Sequence, residues 1–187
     1  MAGKRLRIAI WGLAAGLWLL PLVVKQFTDE LNWTVFDFVV WAGMLLVACT
    51  AYEIVSRMSP NRWYRAGVGV AVVTGFLVFW VNGAVGMVGD EGNAYNLLFL
   101  VAIVVGAAVA LLGWFRPAAM VRALYATAAV HAAVALYALA LSGDTRGSVF
   151  SLVFVLPWLF SAGLFGKAAR ELSAQSAEPA GSLRQNR

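Results

Sequence analysis

The sequence predicts an all-α fold, an integral membrane bundle of six transmembrane helices. Its residues are 62% hydrophobic and only 12% charged, and its mean hydropathy is +0.81. A soluble domain has about 45–50% apolar and about 25% charged residues. Because a bilayer-spanning helix uses about 20 residues, a chain of 187 residues suits one membrane domain with several spans and short loops.

Six apolar stretches are long enough to cross a bilayer, and polar breaks separate them. The predicted spans are residues 6–24, 35–56, 66–89, 97–115, 118–141 and 148–166. The first begins like a signal peptide, but its apolar run is too long and no A-x-A-like site follows, so we interpret it as a retained span. The weakest break lies at Arg116 and Pro117, which makes five spans the main alternative.

The basic residues orient the predicted bundle. With the N-terminus inside, every lysine and arginine except Lys25 and Arg146 lies on the cytoplasmic side, as the positive-inside rule requires. An even number of spans places both termini in the cytoplasm of a multi-pass protein of the cytoplasmic membrane. We expect residues 1–171 to form the six-helix transmembrane domain. Residues 172–187 are polar and poor in bulky apolar side chains, which predicts a disordered cytoplasmic tail.

A weak internal repeat appears in the predicted outer turns. Residues 29–32 read Asp-Glu-Leu-Asn, residues 90–93 read Asp-Glu-Gly-Asn, and Asp144 begins a third, degenerate turn. A basic residue precedes each turn at a similar distance. Three tandem helical hairpins would produce this pattern, although two matching short segments also arise by chance.

Composition and motifs argue against several classes of function. The basic residues form no continuous stripe, so no nucleic-acid partner is indicated. The only cysteine, Cys49, lies in an apolar run, and a single histidine excludes a histidine metal cluster or bis-histidine haem. The sequence holds no GxSxG, HExxH or P-loop motif. We therefore expect neither an enzyme nor a bound cofactor.

Oxygen-bearing side chains gather on the predicted outer face. Carboxylate and amide oxygens replace the water shell of a cation, so one interpretation is a cation or polar-solute site there. Alternatively, the acids face water and complement helix N-terminal dipoles, and Asp37 either caps the second helix or pairs with Lys25. The candidate site residues, including one histidine deeper in the membrane, are Asp37, Asn82, Asp90, Glu91, Asn93, Asn96 and His131.

Within the predicted spans, His131 is the sharpest candidate. It shares a helix face with Thr127 and Ala135, so we expect it to point into the bundle. Intramembrane ionisable groups are functional candidates because lipid exposure is costly, yet a neutral histidine needs only one interhelical hydrogen bond. Glu53, four residues before Arg57, suits a structural ion pair.

Glycines recur every third residue near the end of the third span, at positions 83, 86 and 89. Small residues allow close helix packing, across which Asn82 can form a hydrogen bond. Repeated glycine also permits a broken helix of the kind found at transporter binding sites. Gly12 and Gly16 form one further GxxxG pair.

Three segments resemble a family of uncharacterised bacterial inner-membrane proteins. They read TDELNWTVFDF (residues 28–38), WVNGAVGMVGDEGNAYNLLF (80–99) and RPAAMVRALYATA (116–128). The resemblance covers most of the chain outside the tail and implies a small polytopic protein of the cytoplasmic membrane. It implies no activity and no site residues.

Two functional hypotheses remain. The first is small-solute or ion transport, which needs a water-accessible cavity that joins the outer acids to Asn82 or His131. The second is a non-catalytic accessory or scaffold subunit, which needs an exposed face for another membrane protein or a second copy of the chain. In both hypotheses the lipid bilayer is the main partner.

Overall fold

The structure, a computed structural model, describes residues 2–28 and 33–177, with side chains described from residue 7 onward. All regular structure in this part of the chain is helical, as the sequence predicts, and six helical segments are long and apolar enough to cross a membrane. The expected turn at 29–32 and the chain from 178 onward lie outside the described residues. The chain divides into two compact units, Met1–Val55 and Ser56–Arg187, which we call unit 1 and unit 2.

Unit 1 is an antiparallel pair of helices, α1 (Ala2–Val24) and α2 (Val35–Ser56). Trp41 donates its indole N–H to the backbone oxygen of Leu17 at 2.9 Å. Near the other end, Arg7 and Glu53 form an ion pair at 2.6 Å, a partner for Glu53 that the sequence did not suggest. The α2 bounds match the predicted second span because polar residues flank that apolar run on both sides.

Unit 2 contains α3 (Arg62–Ala84), α4 (Tyr95–Leu112), α5 (Pro117–Leu141), α6 (Thr145–Leu152) and α7 (Val155–Ala177). Helix α5 lies at its centre and packs against α4, α6 and α7, while α3 packs mainly against α7. Small side chains make these close contacts possible. The buried alanines of α5 are Ala119, Ala123, Ala128, Ala135 and Ala138.

The third span is shorter at its end than predicted. Helix α3 ends at Ala84, and residues 85–94 form a loop in which Gly86 and Gly89 have φ angles of +78° and +69°. These left-handed conformations suit glycine and end the helix. The expectation that the glycines at 86 and 89 serve helix packing is therefore wrong, because hydropathy does not distinguish a glycine-rich turn from a glycine-rich helix.

The fourth and fifth spans are separate helices. Trp114 and Phe115 adopt φ angles of +50° and +52° between α4 and α5, and Pro117 is the first residue of α5. Two consecutive left-handed residues reverse the chain within a very short connection. The alternative of a single long helix here, and with it five spans, does not match the described structure.

The sixth span is broken into α6 and α7 at Val153 and Phe154. Pro157 explains the break, because proline has no backbone N–H to donate to the carbonyl of Val153 and its ring crowds that carbonyl. Helix α7 then continues to Ala177, beyond the residue at which we expected the tail to begin.

Candidate functional site

Asp37, the candidate in unit 1, stabilises the start of α2. Its Oδ2 accepts hydrogen bonds from the Thr34 backbone N–H at 2.7 Å and from the Thr34 hydroxyl at 2.8 Å. The Thr34 hydroxyl in turn accepts from the Asp37 backbone N–H at 3.4 Å. This reciprocal arrangement is a capping box. Lys25 donates to the backbone oxygen of Trp33 at 3.1 Å, so the structure favours the capping interpretation of Asp37.

Asn96, at the start of α4, holds the loop of residues 85–94. Its Oδ1 accepts from the backbone N–H groups of Met87 and Val88, both at 2.9 Å. Its Nδ2 donates to the backbone oxygen of Asp90 at 2.6 Å. The side chain is only 4% exposed. Asn96 thus satisfies three backbone groups of a segment that has no regular secondary structure of its own.

The other three loop candidates lie nearer the surface. The side chains of Asp90 and Glu91 are exposed, and Asn93 is half-buried. The Oδ1 of Asn93 accepts from the Tyr95 backbone N–H at 3.0 Å, just before α4 begins. These residues therefore shape the loop and its solvent face. Within residues 2–28 and 33–177, no three histidine, cysteine or acidic side chains lie close enough to hold a metal ion.

Asp144 joins this loop to the start of α6. Its Oδ2 accepts from the Gly89 backbone N–H at 2.8 Å, and its Oδ1 accepts from the Gly147 backbone N–H at 3.0 Å. The N–H of Gly89, followed by that of Gly147, lowers the pKa of the Asp144 carboxyl below its ordinary value. The ionised Asp144 carboxylate thereby caps α6 and holds the loop in place.

His131 points into unit 2, as predicted, and is fully buried with Thr127 and Ala135 on the same helix face. Its Nε2 lies 3.0 Å from the backbone oxygen of Ser151 in α6. The ring also packs against Phe99, with 5.0 Å between ring centroids, and against Phe154 at 6.2 Å. Its second ring nitrogen, Nδ1, is buried and has no hydrogen-bond partner among the described residues.

The contacts on either side of Asn82 show which part of unit 2 it occupies. Seven residues earlier in α3, Gly75 packs against Trp158 of α7. Five residues later, the backbone oxygen of Met87 lies 2.5 Å from where a Cβ on Gly147 would be. These two contacts run in antiparallel order, so Asn82 lies between the levels of Trp158 and Gly147. Ser151, whose carbonyl contacts His131, belongs to the same stretch of chain between Gly147 and Trp158.

Asn82 does not make the interhelical hydrogen bond that the sequence suggested. Its Nδ2 donates to the Val78 backbone oxygen of its own helix at 2.7 Å. Its Oδ1 is buried and has no partner among the described residues. Since Gly75 and Asn82 are two helical turns apart, they share one face of α3, and Gly75 on this face packs against Trp158 of α7.

Two serines of α6 complete this region, and the sequence analysis missed both. Ser148 and Ser151 are fully buried, and the Ser151 hydroxyl donates to the Ser148 backbone oxygen at 2.7 Å. The Ser148 hydroxyl is buried without a described partner. The signal available in the sequence was a pair of serines three residues apart after the helix-capping Asp144. We call Asn82, His131, Ser148 and Ser151 the polar layer.

Three atoms of the polar layer have no described partner: Asn82 Oδ1, His131 Nδ1 and Ser148 Oγ. Leaving a buried polar group unpaired costs about 1–3 kcal/mol, or about 3–9 kcal/mol for the three. Folded proteins are stable by only about 5–15 kcal/mol in total. Each of these buried atoms therefore needs a hydrogen-bond partner, which a buried water or a bound solute would supply.

An apolar groove lies beside the polar layer. It encloses about 380 Å³ between α3 and the break from α6 to α7. Phe154 both lines the groove and contacts His131. The lining residues are Gly69, Val70, Val73, Thr74, Leu77, Val153, Phe154 and Pro157.

One further unpartnered group lies deeper in unit 2. Trp158 is 4% exposed, and its indole N–H has no hydrogen-bond partner among the described residues. Its contact with Gly75 places it two helical turns, about 10 Å, from the level of Asn82.

Comparison of the chain with protein-family models, with curated proteins and with solved structures finds no match.

Proposed function

We propose that this chain is a multi-pass protein of the bacterial cytoplasmic membrane that transports a small polar solute or ion through unit 2 without catalysing a reaction. The observation that carries the proposal is the polar layer, with its three buried atoms that have no described partner. Polar groups at membrane depth are costly unless they have partners, and they commonly mark solute or ion pathways. A solute that binds there supplies the missing hydrogen bonds.

The surroundings of the polar layer support a pathway by which a solute could reach it. On one side, the loop held by Asn96 and Asp144 closes the end of unit 2, and its fixation depends on a few side-chain hydrogen bonds. Phe154 lines the apolar groove and contacts His131, so a change of its rotamer would open a path between the groove and the layer. Deeper in unit 2, the Trp158 indole N–H offers a second polar contact. Opening of the loop or rotation of Phe154 would provide access to the layer.

The proposed topology places both termini in the cytoplasm, because the basic residues are concentrated on that side. Reporter fusions test this independently of transport. A fusion at Ala94 should report the periplasm and a fusion at Glu178 the cytoplasm. If both fusions report the same side, the six-span arrangement is wrong.

Transport is tested with purified protein in liposomes. Stopped-flow light scattering follows urea and glycerol entry, while pH-sensitive and potential-sensitive dyes follow ammonium, protons and potassium. We expect wild-type vesicles to exceed empty vesicles for at least one solute, and Asn82→Leu and Ser148→Ala to change that flux. Ser176→Ala, on the exposed end of α7, is the matched control and should behave as wild type. Flux no different from empty vesicles for every solute would refute the proposal.

An accessory or scaffold role is the second candidate, favoured by an open small-residue face in unit 1. A Cβ added at Gly12 or Gly16 would meet no described atom within 4 Å. Such GxxxG faces allow another helix to approach closely. If the protein is an accessory subunit, mild-detergent extracts should contain a stoichiometric partner or second copy that Gly12→Leu and Gly16→Leu remove, and the liposomes should show no flux.

A further inference from the structure

We infer that the polar layer binds small neutral molecules that donate hydrogen bonds, of which water, ammonia and urea are the simplest. If these molecules are the transported solutes, this inference rests on the proposed transport function. As a statement about a binding site, it rests only on the side chains of α3, α5 and α6.

His131 presents a hydrogen-bond acceptor to the site. The Ser151 carbonyl can only accept, so the His131 Nε2 that lies 3.0 Å from it must carry the proton. The ring and hydrogen-bond contacts described for His131 are with Phe99, Phe154 and the Ser151 backbone, and none of these groups is charged. A buried imidazolium would therefore lack compensation, which favours the neutral ring. In the neutral ring with Nε2 protonated, Nδ1 carries a lone pair and needs a donor.

The other two unpartnered atoms define the complementary ligand. The Asn82 amide uses its Nδ2 on Val78, so its free Oδ1 is a second acceptor. The Ser148 hydroxyl can donate one hydrogen bond and accept others. Two buried acceptors and one buried hydroxyl in the same region of unit 2 suit molecules that have at least two donor hydrogens and one acceptor. Water, ammonia and urea meet this requirement.

The same arrangement disfavours charged ligands. The layer contains no carboxylate to neutralise a metal cation, and an anion would face the two acceptor atoms of Asn82 and His131. The ionised Asp144 is committed to the Gly89 and Gly147 backbone N–H groups. Neutral donors are therefore the class that the layer selects.

The single histidine of the chain makes the inference directly measurable. Full-length protein labelled with ¹⁵N-histidine, in lipid nanodiscs near neutral pH, should give one imidazole spin system. We expect the Nε2–H tautomer, with Nδ1 unprotonated, hydrogen-bonded and receiving magnetisation from water or another bound donor. A protonated Nδ1, an imidazolium, or an Nδ1 that is free of any hydrogen bond would overturn the inference.

Added probes test the ligand class. Urea, and ammonium chloride as a source of ammonia, should shift the Nδ1 resonance until the shift saturates. If water occupies the site instead, Nδ1 should remain magnetically coupled to water. Potassium chloride, calcium chloride and sodium formate should leave it unchanged at equal ionic strength. A saturable response to potassium, calcium or formate, absent with the neutral probes, would contradict the assignment to neutral donors.

Two variants should change Tm in a direction that depends on whether a donor molecule occupies the layer. If a donor occupies the layer, Asn82→Leu loses its hydrogen bond and lowers Tm by about 2–4 °C. If the layer is dry, the same change removes an unpaired acceptor and raises Tm. Ser148→Ala should follow the same sign, and Ser176→Ala should leave Tm unchanged. A rise in Tm for both layer variants refutes the binding site, whereas a fall in Tm without liposome flux refutes only the transport function.

Discussion

Replacement of Asn96 by alanine should strongly destabilise unit 2, because this side chain satisfies three backbone groups at once. The variant leaves the N–H groups of Met87 and Val88 without the acceptor that each now has at 2.9 Å. Both residues are buried, at 2% and 0% exposure, so water cannot easily replace Asn96. At about 1–3 kcal/mol for each unpaired buried donor, the loss of stability should be about 2–6 kcal/mol.

The measurement is the free energy of unfolding by steric trapping, or an SDS titration followed by tryptophan fluorescence, in the same bicelles for each variant. Asn93→Ala is the matched control from the same loop, because it removes one hydrogen bond to the Tyr95 N–H at a half-buried site. That control should lose about 1 kcal/mol. Equal losses for Asn96→Ala and Asn93→Ala would refute the conclusion that Asn96 holds the loop.

Three further predictions concern other parts of unit 2. The Asp144 pKa is lowered first by the Gly89 N–H, so the ionised carboxyl stabilises the fold fully above about pH 5 and loses this effect progressively as the pH falls from there through the lowered pKa of the folded state. The Tm of wild type should therefore fall more steeply over that range than the Tm of Asp144→Asn. Gly106→Ala should destabilise the protein by about 1–3 kcal/mol, because a Cβ would overlap the Thr127 hydroxyl, and Thr127→Ala should partly restore stability in a double-mutant cycle. Deletion of all residues after Ala174 should change Tm in detergent by less than about 2 °C, since the described residues beyond it are exposed, and a larger loss would show that the tail docks.

The positions of the helices could largely be predicted from hydropathy, and the exceptions have local causes. The predicted second span and α2 coincide because polar residues flank the apolar run. The third span was placed too far along the chain because Gly86 and Gly89 are compatible with a hydropathy window but adopt left-handed conformations. The break between α6 and α7 was missed, although Pro157 and its missing N–H were visible in the sequence.

The candidate site was only partly predictable, because a single sequence gives depth along a helix but not contacts between helices. The inward orientation of His131 followed from its small neighbours at helical spacing and is confirmed. That Ser151 is its partner depends on how α6 packs against α5. Serine is ordinary in an apolar run, so the spacing of Ser148 and Ser151 was only a weak signal before the buried, unpartnered hydroxyl of Ser148 was seen in the fold.

The most direct test of the account is whether a solute can reach the polar layer in the folded protein. Because Cys49 is the only cysteine, Cys49→Ala gives a background in which Ser148→Cys and Ser161→Cys each introduce one thiol. Both serines are fully buried, but the Ser161 hydroxyl donates to the Gly67 backbone oxygen at 2.8 Å, whereas the Ser148 hydroxyl has no described partner. In lipid nanodiscs, a small neutral methanethiosulfonate should modify the thiol of Ser148→Cys at least tenfold faster than that of Ser161→Cys. Equally slow modification of both would contradict a solute-accessible polar layer.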